Sequence, residues 1–292
     1  MASHTDPTVK HDALLLFEAI DSNPNGDPDN AGKPRTDLDT GHGLVSDASL
    51  KRKVRDAVQF QVDQGLLTAA ERYKIFIRRG VSLNEQLEAA YEELGLEKGK
   101  DAKADAVAKG AAYMIANYYD VRMFGAVMST GQASAGKVTG PITVGLARSL
   151  DPVLPIDLGI TRTASTKEED KDNASQMGNK SVIPYGLYAC RIHYQPTRGN
   201  QVTKEDLEVL WSTLANMFEV TRSAARPDVS VRNLFIFSHS NALGNAPAKK
   251  LLESVKIIKV TDAVVPTSSA DYVVEPPSEE DLPNDVTLVT VV

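Results

Sequence analysis

The hydrophobic pattern is most continuous near the N-terminus, where residues 12–20 form an almost uninterrupted apolar run that predicts a buried strand. Residues 21–45 are rich in Pro, Gly, Asn and Asp, and they predict a long connection of the kind that is usually functional. Ser46 is suited to begin a helix over about 47–64. The apolar side chains of that helix recur at helical spacing: Leu50, Val54, Ala57 and Val58.

The remaining periodicity predicts alternating helices and strands. The predicted helices cover about 83–94, 111–119 and 204–219, and the predicted strands about 73–78, 141–147, 185–194, 230–237, 256–260 and 285–292. Residues 97–110 fit a connector or an exposed helix start, whereas the polar residues 148–180 are expected to add little to a core. The repeated order of strand, helix and strand predicts an α+β fold with a ferredoxin-like, split βαβ core. We expect the last strand to pair with this sheet or with a neighbouring molecule.

The charge of the chain is unevenly distributed. Its 32 Lys and Arg face 39 Asp and Glu. Seven of the acidic residues follow Lys259, the last basic residue, so residues 1–261 are balanced and the acidic excess lies at the C-terminal end. The overall acidity therefore does not exclude a nucleic-acid partner, although nucleic-acid-binding domains are often basic.

The sequence lacks the usual patterns of catalysis and of metal binding. Cys190 is the only cysteine, which excludes an intrachain disulfide and a four-cysteine zinc site, and its apolar surroundings predict a buried structural thiol. The five histidines lack metal-ligand spacing, nucleophile and Walker motifs are absent, and no cofactor is predicted. Without a signal-peptide pattern or a run of membrane-spanning length, we expect a soluble, intracellular protein.

Residues 21–29 match the first half of a calcium-binding loop, with oxygen-bearing side chains at alternate positions. The glutamate required at the twelfth position is replaced by Gly32, and two prolines interrupt the loop. A turn stabilised by Asn and Asp, with Gly26 supplying a positive φ, is the better interpretation. His42 lies between two glycines and fits either an ordinary loop histidine or a contact to a backbone or base.

A basic cluster opens the first predicted helix. Its four cations, which we expect to face solvent because they lie off the apolar stripe or on its flanks, are Lys51, Arg52, Lys53 and Arg55. Cations near the positive end of the helix dipole are mildly unfavourable, and bound anions there are stabilising. Nucleic acid is therefore the first hypothesis, while an ordinary solvated helix face remains open. Base stacking on the sheet is not supported, because no aromatic-rich strand is present.

A set of short segments occurs in the order of a known family. They are NPNGDPD (23–29), PR (34–35), TGHGLVSD (40–47), LKRKVR (50–55), DVRMFG (120–125), GP (140–141), ARSLDP (147–152), ITR (160–162) and VIPYGLY (182–188). Spread over about residues 12–194, these segments resemble the backbone subunit of type I CRISPR Cascade complexes, most closely that of subtype I-C.

The resemblance implies one domain over 1–292, with a modified RNA-recognition-motif or ferredoxin-like palm. A helical insertion at about 66–119, a thumb-like hairpin at about 157–180 and an acidic C-terminal segment at 262–292 are implied as well. Copies would assemble head to tail along one CRISPR RNA in the prokaryotic cytoplasm, together with other Cascade subunits. They would present the guide for pairing with target DNA in antiviral defence, without catalysis and without a membrane partner.

The resemblance also implies which residues contact RNA. The full set is Arg35, His42, Lys51, Arg52, Lys53, Arg55, Ser129, Thr130, Gly131, Arg162, Met177 and Lys180. The cations would bind guide phosphates, and the small-residue loop at 129–131 would offer amides and hydroxyls for the same purpose. Met177 either wedges beside a base or is a flexible exposed side chain. The acidic residues within 168–172 fit RNA poorly and are expected to face solvent or a protein partner.

Two rival functions stay open at this point. Related backbone subunits of type III complexes cut target RNA with a loop aspartate, so a metal-dependent ribonuclease would use Asp27, Asp29 or Asp37. A homo-oligomeric scaffold that binds no nucleic acid is the other rival.

Overall fold

The computed structural model describes residues 3–99, 103–129, 131–162, 176–196, 201–260, 262 and 265–292. The strands of these parts are β1 (His11–Ser22), β2 (His42–Val45), β3 (Gly125–Met128), β4 (Gly136–Thr139), β5 (Ile142–Val144), β6 (Ala147–Pro152), β7 (Ile156–Arg162), β8 (Gln176–Tyr194), β9 (Asp228–His239), β10 (Lys256–Lys259), β11 (Tyr272–Glu275) and β12 (Val286–Thr290). The α-helices are α1 (Asp47–Asp63), α2 (Leu83–Glu93), α3 (Ala104–Asn117), α4 (Tyr119–Phe124), α5 (Lys204–Val220) and α6 (Ala248–Ser254).

An antiparallel sheet lies at the centre of the protein, with strands in the order β12-β9-β1-β8-β6-β2. Strands β5 and β7 pair with β8 outside this row. The 19-residue β8 has room for all of these neighbours, because its second half lies beside β1 and its first half forms a long hairpin with β7. The predicted α+β class is confirmed. The predicted pairing of the C-terminal strand with the sheet is confirmed as well, since β12 pairs with β9.

Both faces of this sheet are covered, which explains why β1 is apolar at nearly every position. Ala13, Leu15 and Phe17 share a core with α1 and α5. Leu14 and Leu16 point to the opposite face and share a core with α6 and the C-terminal strands. Within the described residues, no helix is long and apolar enough to cross a membrane.

The predicted stripe of α1 is confirmed, because its four apolar side chains are all buried against the sheet. Ser46 begins this helix as predicted, and its Oγ accepts a hydrogen bond from the amide of Ser49 at 3.2 Å. Cys190 is buried in the same core, as predicted, and burial raises the pKa of its thiol to about 12.

A helical insertion between α1 and β5 has a small core of its own, which includes Phe76, Tyr91 and Met128. The predicted strand at 73–78 was wrong. A short 3-10 helix, Ala70–Tyr73, occupies its start, and the amides of Phe76 and Ile77 donate to the Asp120 carboxylate at 2.8 and 3.1 Å instead of to a neighbouring strand. Of the two interpretations of 97–110, the structure favours the helix start, since α3 begins at Ala104.

Two further predictions were wrong in the middle of the chain. The strand expected at 141–147 is divided into β5 and β6, because its pairing with β8 shifts by one residue between them: Val144 lies opposite Ile192, whereas Arg148 lies opposite Ala189. The stretch 148–180 was expected to add little to the core. Its first part belongs to the main sheet as β6, and Val153 is buried behind it. The sequence also failed to predict β2, the β3–β4 hairpin, α6 and β11.

One buried ion pair joins the insertion to the sheet. Arg122 on α4 is completely buried, and its Nε and Nη2 donate to the two oxygens of Asp206 on α5 at 2.9 and 2.7 Å. The remaining N–H groups donate to the carbonyls of Arg72, Ile115 and Ala116. Asp206 also completes the capping box with Thr203 that begins α5. Every donor of this guanidinium is therefore satisfied.

We expect Arg122→Met to lower the free energy of unfolding by about 3 kcal/mol, because it leaves the buried Asp206 carboxylate with only the longer ion pair to Arg72, at 3.7 Å. Denaturant unfolding checks this value. The control is Arg191→Met, which removes an exposed arginine that pairs with Glu253 at 3.5 Å and should change stability by less than about 0.5 kcal/mol. Equal stability of the two variants would contradict the assigned role.

Candidate nucleic-acid interface

The four cations of α1 point in different directions, because successive helix positions are rotated by about 100°. Lys51 and Arg52 remain partly exposed, and each pairs with a carboxylate on the same helix, Asp47 and Asp56, at 2.8 Å. Such i,i+4 pairs are weak and screened by salt. These two side chains thus remain available for a stronger anion.

Arg55 does not face solvent as predicted. It is buried, and its Nε donates to Asp120 at 2.7 Å. The same carboxylate accepts the two amides at residues 76 and 77, so the insertion covers this side of α1. Arg55 lies off the apolar stripe, but the surface opposite is protein instead of water. Its charge is already balanced, and it holds the insertion in place.

The prediction that Lys53 faces solvent was also wrong, because its side chain is buried. It makes no hydrogen bond or ion pair with any residue that the structure describes. Burial lowers the pKa of Lys53 from 10.5 to about 8, and the nearby cations Arg226, Arg52 and Arg79 add to this effect while Asp56 opposes it. A lysine side chain that is largely removed from water and lies beside other cations carries its charge at a cost, and an anion in the neighbouring cavity would relieve that cost.

Lys53 lines a cavity of about 400 Å³ between α1 and the end of α5, which we call the basic cavity. Its charged lining consists of Arg52, Lys53, Arg79, Arg222 and Arg226 against Asp56 and Asp63. Asp56 pairs with Arg52, and Asp63 accepts from Gln59 at 2.8 Å. The Nε of Arg226 is buried and has no partner among the described residues. The excess of cations suits a phosphate group.

Three of these arginines were missed by the sequence analysis. Arg79 lies in the loop before α2, and Arg222 and Arg226 lie in the turn between α5 and β9. Arg79 adjoins only Arg78, and Arg222 and Arg226 lie four positions apart, so none of the three belongs to a cluster like that of α1. The fold places them beside Lys53 by bringing the end of α5 and the loop before α2 to α1.

A second cavity, of about 460 Å³, lies across the turn at 221–226 and is called the loop cavity. It is lined by the connection after β1, by the β7–β8 hairpin and by Ala224 and Ala225. Lys180 lies on its wall, and Lys33 does so while pairing with Asp157 at 2.7 Å. Because residues of one turn line both cavities, the two are neighbours.

Arg35 and His42 lie apart from both cavities. Arg35 pairs with Asp27 at 3.3 Å. His42 belongs to the edge strand β2 instead of a loop, and its Nδ1 donates to the carbonyl of Ser149 at 2.7 Å. These contacts stabilise the connection that follows β1. The RNA-binding role of both side chains remains a prediction.

The other predicted contacts lie on hairpins. Ser129 and Gly131 belong to the loop between β3 and β4, where Gly131 has φ +82° and lies against Asn84 of α2. Thr130 lies outside the described residues, as do the acidic positions 168–172. The backbones of Arg162 and Met177 lie at the end of the β7–β8 hairpin opposite Ile156, and their side chains are outside the description. The structure therefore does not test whether Met177 acts as a wedge.

The aspartates of the rival ribonuclease are spread along the connection after β1. Asp27 begins a short 3-10 helix and pairs with Arg35, and Asp29 lies in that helix. Asp37 accepts from Arg148 at 2.6 Å, and this hydrogen bond lowers the pKa of its carboxyl. The described ranges contain no group of three or more Asp, Glu, His or Cys side chains placed to hold a metal. The turn interpretation of residues 21–29 agrees with the capping role of Asp27, but the positive φ expected at Gly26 was wrong, since it occurs instead at Ala31 and Gly32, with φ of 51° and 76°.

Comparisons with known proteins point to one family. A family model described as CRISPR-associated protein Cas7 matches residues 9–276. A curated protein of Haloferax volcanii with the same description is 44% identical over 50 residues, which are 17% of this chain and only 15% of that protein.

Solved structures give weaker similarity. A chain of a "CRISPR RNA-guided surveillance complex, pre-nicking" has 18% identity and a TM-score of 0.48, with 78% of this chain and 75% of that chain covered. A chain of a type III-B Cmr-beta complex bound to cognate target RNA has 9% identity and a TM-score of 0.42, with 78% and 61% covered.

We expect the affinity of the protein for a single-stranded oligouridylate to fall as the pH rises through about 8, the pKa of Lys53 in the unbound protein. An anion binds the protonated form, so loss of that proton costs up to about tenfold in affinity per pH unit. Fluorescence anisotropy across this range measures the effect. The Lys53→Arg variant stays charged over this range, so its affinity should change much less with pH. If the wild-type protein and the variant show the same dependence of affinity on pH, Lys53 does not contact the anion.

Proposed function

The chain belongs to the Cas7 family, and from that premise we propose that it is a noncatalytic subunit that binds a CRISPR RNA. Several copies would line up along the guide, together with other subunits of a type I surveillance complex, and leave the bases free for target DNA. The observation that carries this proposal is the basic cavity, where a buried and unpartnered Lys53 meets several arginines.

The guide backbone would run from the basic cavity across the turn at 221–226 to the loop cavity. Arg52, Lys53 and Arg226 would hold phosphates in the first cavity, and Lys33 and Lys180 in the second. Phosphate contacts position a nucleic acid without reading its sequence. This arrangement suits a protein whose guide finds its target by base pairing.

The proposed contacts differ from the set predicted from the sequence. Arg55 is left out, because Asp120 already balances its charge. Lys51 is left out of the guide path too, since it lines a groove on the other side of α1. Arg35, His42, Ser129 and Gly131 line neither of the two cavities, so we leave them out of the proposed guide path as well.

The finer assignments belong to the same proposal. The element order β1-α1-β6-β8-α5-β9 supports a ferredoxin-like palm. The β7–β8 hairpin would be the thumb that reaches towards a neighbouring copy, with Arg162 and Met177 near its tip. Subtype I-C is supported only by the resemblance of the short sequence segments.

We expect the double variant Lys53→Met and Arg226→Met to lose guide RNA on purification and to bind it with a flatter salt dependence. For single strands, each lost phosphate contact should reduce the slope of log K against log salt by about 0.7. The measurement is affinity for the CRISPR RNA at several salt concentrations.

The matched control is Lys109→Met, which removes an exposed lysine paired with Asp105 on α3 and should leave the slope unchanged. Arg55→Met provides a contrast, since it should lower stability more than it changes the slope. If the double variant keeps the wild-type slope, or if the wild-type complex contains no RNA, the proposed function is wrong.

A further inference from the structure

The outer edge of β12 offers backbone hydrogen-bonding groups to a partner. This strand lies at the end of the main sheet, beside β9. The amide of Val291 donates to the carbonyl of Leu234 at 2.9 Å, and the backbone groups of an antiparallel strand face its neighbour at every second residue. Those of Val289 therefore also face β9, whereas those of Leu288 and Thr290 point away from the sheet. No described strand lies on that side.

The side chains of β12 do not protect this edge. Proteins usually prevent pairing at a sheet edge with a charged side chain, a proline, a bulge or a covering segment. Residues 286–292 are VTLVTVV, which contains no charged residue, proline or glycine, and such segments pair readily with other strands. The pairing of β12 with β9 also runs without a register shift. We therefore expect a further strand to cover this edge when the protein functions.

The opposite end of the sheet is protected. Its last strand is β2, and the connection after β1 covers the outer edge of that strand. The amide of Leu44 donates to the carbonyl of Arg35 at 2.9 Å, and the amide of Asp37 donates to the carbonyl of His42 at 2.8 Å. Strands β7 and β10, which also lie at edges, carry charged side chains. The edge of β12 lacks both kinds of protection among the described residues.

The segment that leads into β12 is acidic. It contains the short 3-10 helix Glu279–Asp281 and Asp285, all of them exposed, and we call residues 279–285 the acidic turn. No Lys or Arg follows Lys259 in the sequence, so this segment supplies no cation of its own. Lys256 on β10 partly balances Asp281. A partner with Lys or Arg at this position would be attracted to the remaining carboxylates.

We propose that the outer edge of β12 binds an extended segment of a different protein subunit, which adds one strand to the sheet. The backbone of that segment would exchange hydrogen bonds with Leu288 and Thr290, and its Lys or Arg side chains would lie beside the acidic turn. In strand addition of this kind, the main-chain hydrogen bonds supply affinity and the side chains supply specificity. The family match ends at residue 276, so neither β12 nor the acidic turn belongs to it.

Charge and distance exclude the guide RNA as the occupant. The carboxylates of the acidic turn would repel phosphates. The proposed guide path crosses the turn at 221–226, next to the start of β9 at Asp228. Thr290 lies opposite Phe235, seven residues further along β9, and this separation corresponds to roughly 23 Å of strand.

A second copy of the chain fits this edge poorly. Two β12 strands could pair across a two-fold axis, but the two copies would then point in opposite directions along the guide. This step rests on the proposed function, in which all copies have the same direction. A head-to-tail continuation of the sheet would need the outer edge of β2, which residues 35–37 already cover. The occupant is therefore a different polypeptide.

The first test uses the purified full chain with its guide and a labelled peptide of alternating Val and Thr between pairs of lysines. Thr290→Pro should lower the affinity for this peptide about tenfold, because it removes an outward N–H and places a ring where the added strand would lie. Proline is tolerated at such an edge position, so the sheet should stay folded. The matched control, Thr290→Val, keeps the N–H and should bind like the wild-type protein.

Charge is tested with a peptide that carries glutamates in place of the lysines, which should bind about tenfold more weakly at low salt. Failure of the lysine peptide to bind, or equal affinity of the wild-type protein and Thr290→Pro, would overturn the inference. Equal affinity of the two peptides would overturn the role of the acidic turn.

A second measurement does not depend on variants. In the complete surveillance complex, the amides of Leu288 and Thr290 should exchange with deuterium at least tenfold more slowly than in the isolated protein with its guide. A carbodiimide, which joins carboxylates directly to lysine amines, should couple Glu279 or Glu280 to a lysine of a different subunit. Equal exchange in the two samples, or adducts only between copies of this chain, would overturn the proposal.

These outcomes are distinguishable from failure of the proposed function. If the purified complex contains no RNA, the proposed function is wrong. If the complex retains its RNA but the two amides gain no protection, only the inference about β12 is wrong.

Discussion

The buried ion pair between Arg122 and Asp206 is the interaction on which the arrangement of the molecule depends. It joins α4, which belongs to the helical insertion, to α5, which covers the sheet. Removing two charges from water is costly, and the cost is offset only if hydrogen bonds complete both groups. Here two carboxylate oxygens and three backbone carbonyls accept every N–H of the guanidinium. Bonds in so many fixed directions specify one orientation of the insertion on the sheet.

The short helix α4 also fixes the orientation of α1, through Asp120. Its carboxylate accepts from Arg55 and from two amides of the insertion, so α1 is held in one rotation about its axis. That rotation decides the surroundings of each cation. Arg55 becomes a structural side chain, Lys53 is directed into the basic cavity, and Lys51 faces a separate groove beside the β3–β4 hairpin. Asp120 thus acts on the binding surface through α1, while its own carboxylate is buried against Arg55 and two backbone amides.

Much of the fold could be predicted from local patterns. The apolar run of β1, the Ser46 cap and stripe of α1, the helix at 204–219 and the final strand were all confirmed, because each depends on periodicity or on a neighbouring residue. The strand predicted at 73–78 failed because the amides there bind a carboxylate more than forty residues away. The candidate site was predicted only in part. The basic cluster was found, whereas Arg222 and Arg226 were missed, because they belong to a turn more than 150 residues away in the chain that the end of α5 brings to α1.

The sequence by itself determined the α+β class, the position of the basic helix and a family resemblance with which the family match agrees. Only the tertiary structure decided which cations are available to a ligand. Helical periodicity can predict that a side chain lies away from the apolar stripe of its helix. It cannot predict whether water, a carboxylate or another cation faces that side chain in the folded protein. Those surroundings come from segments distant in the chain, and in a protein interior they set the cost of each charge. For this reason Lys53 and Arg55, two positions apart, have opposite roles.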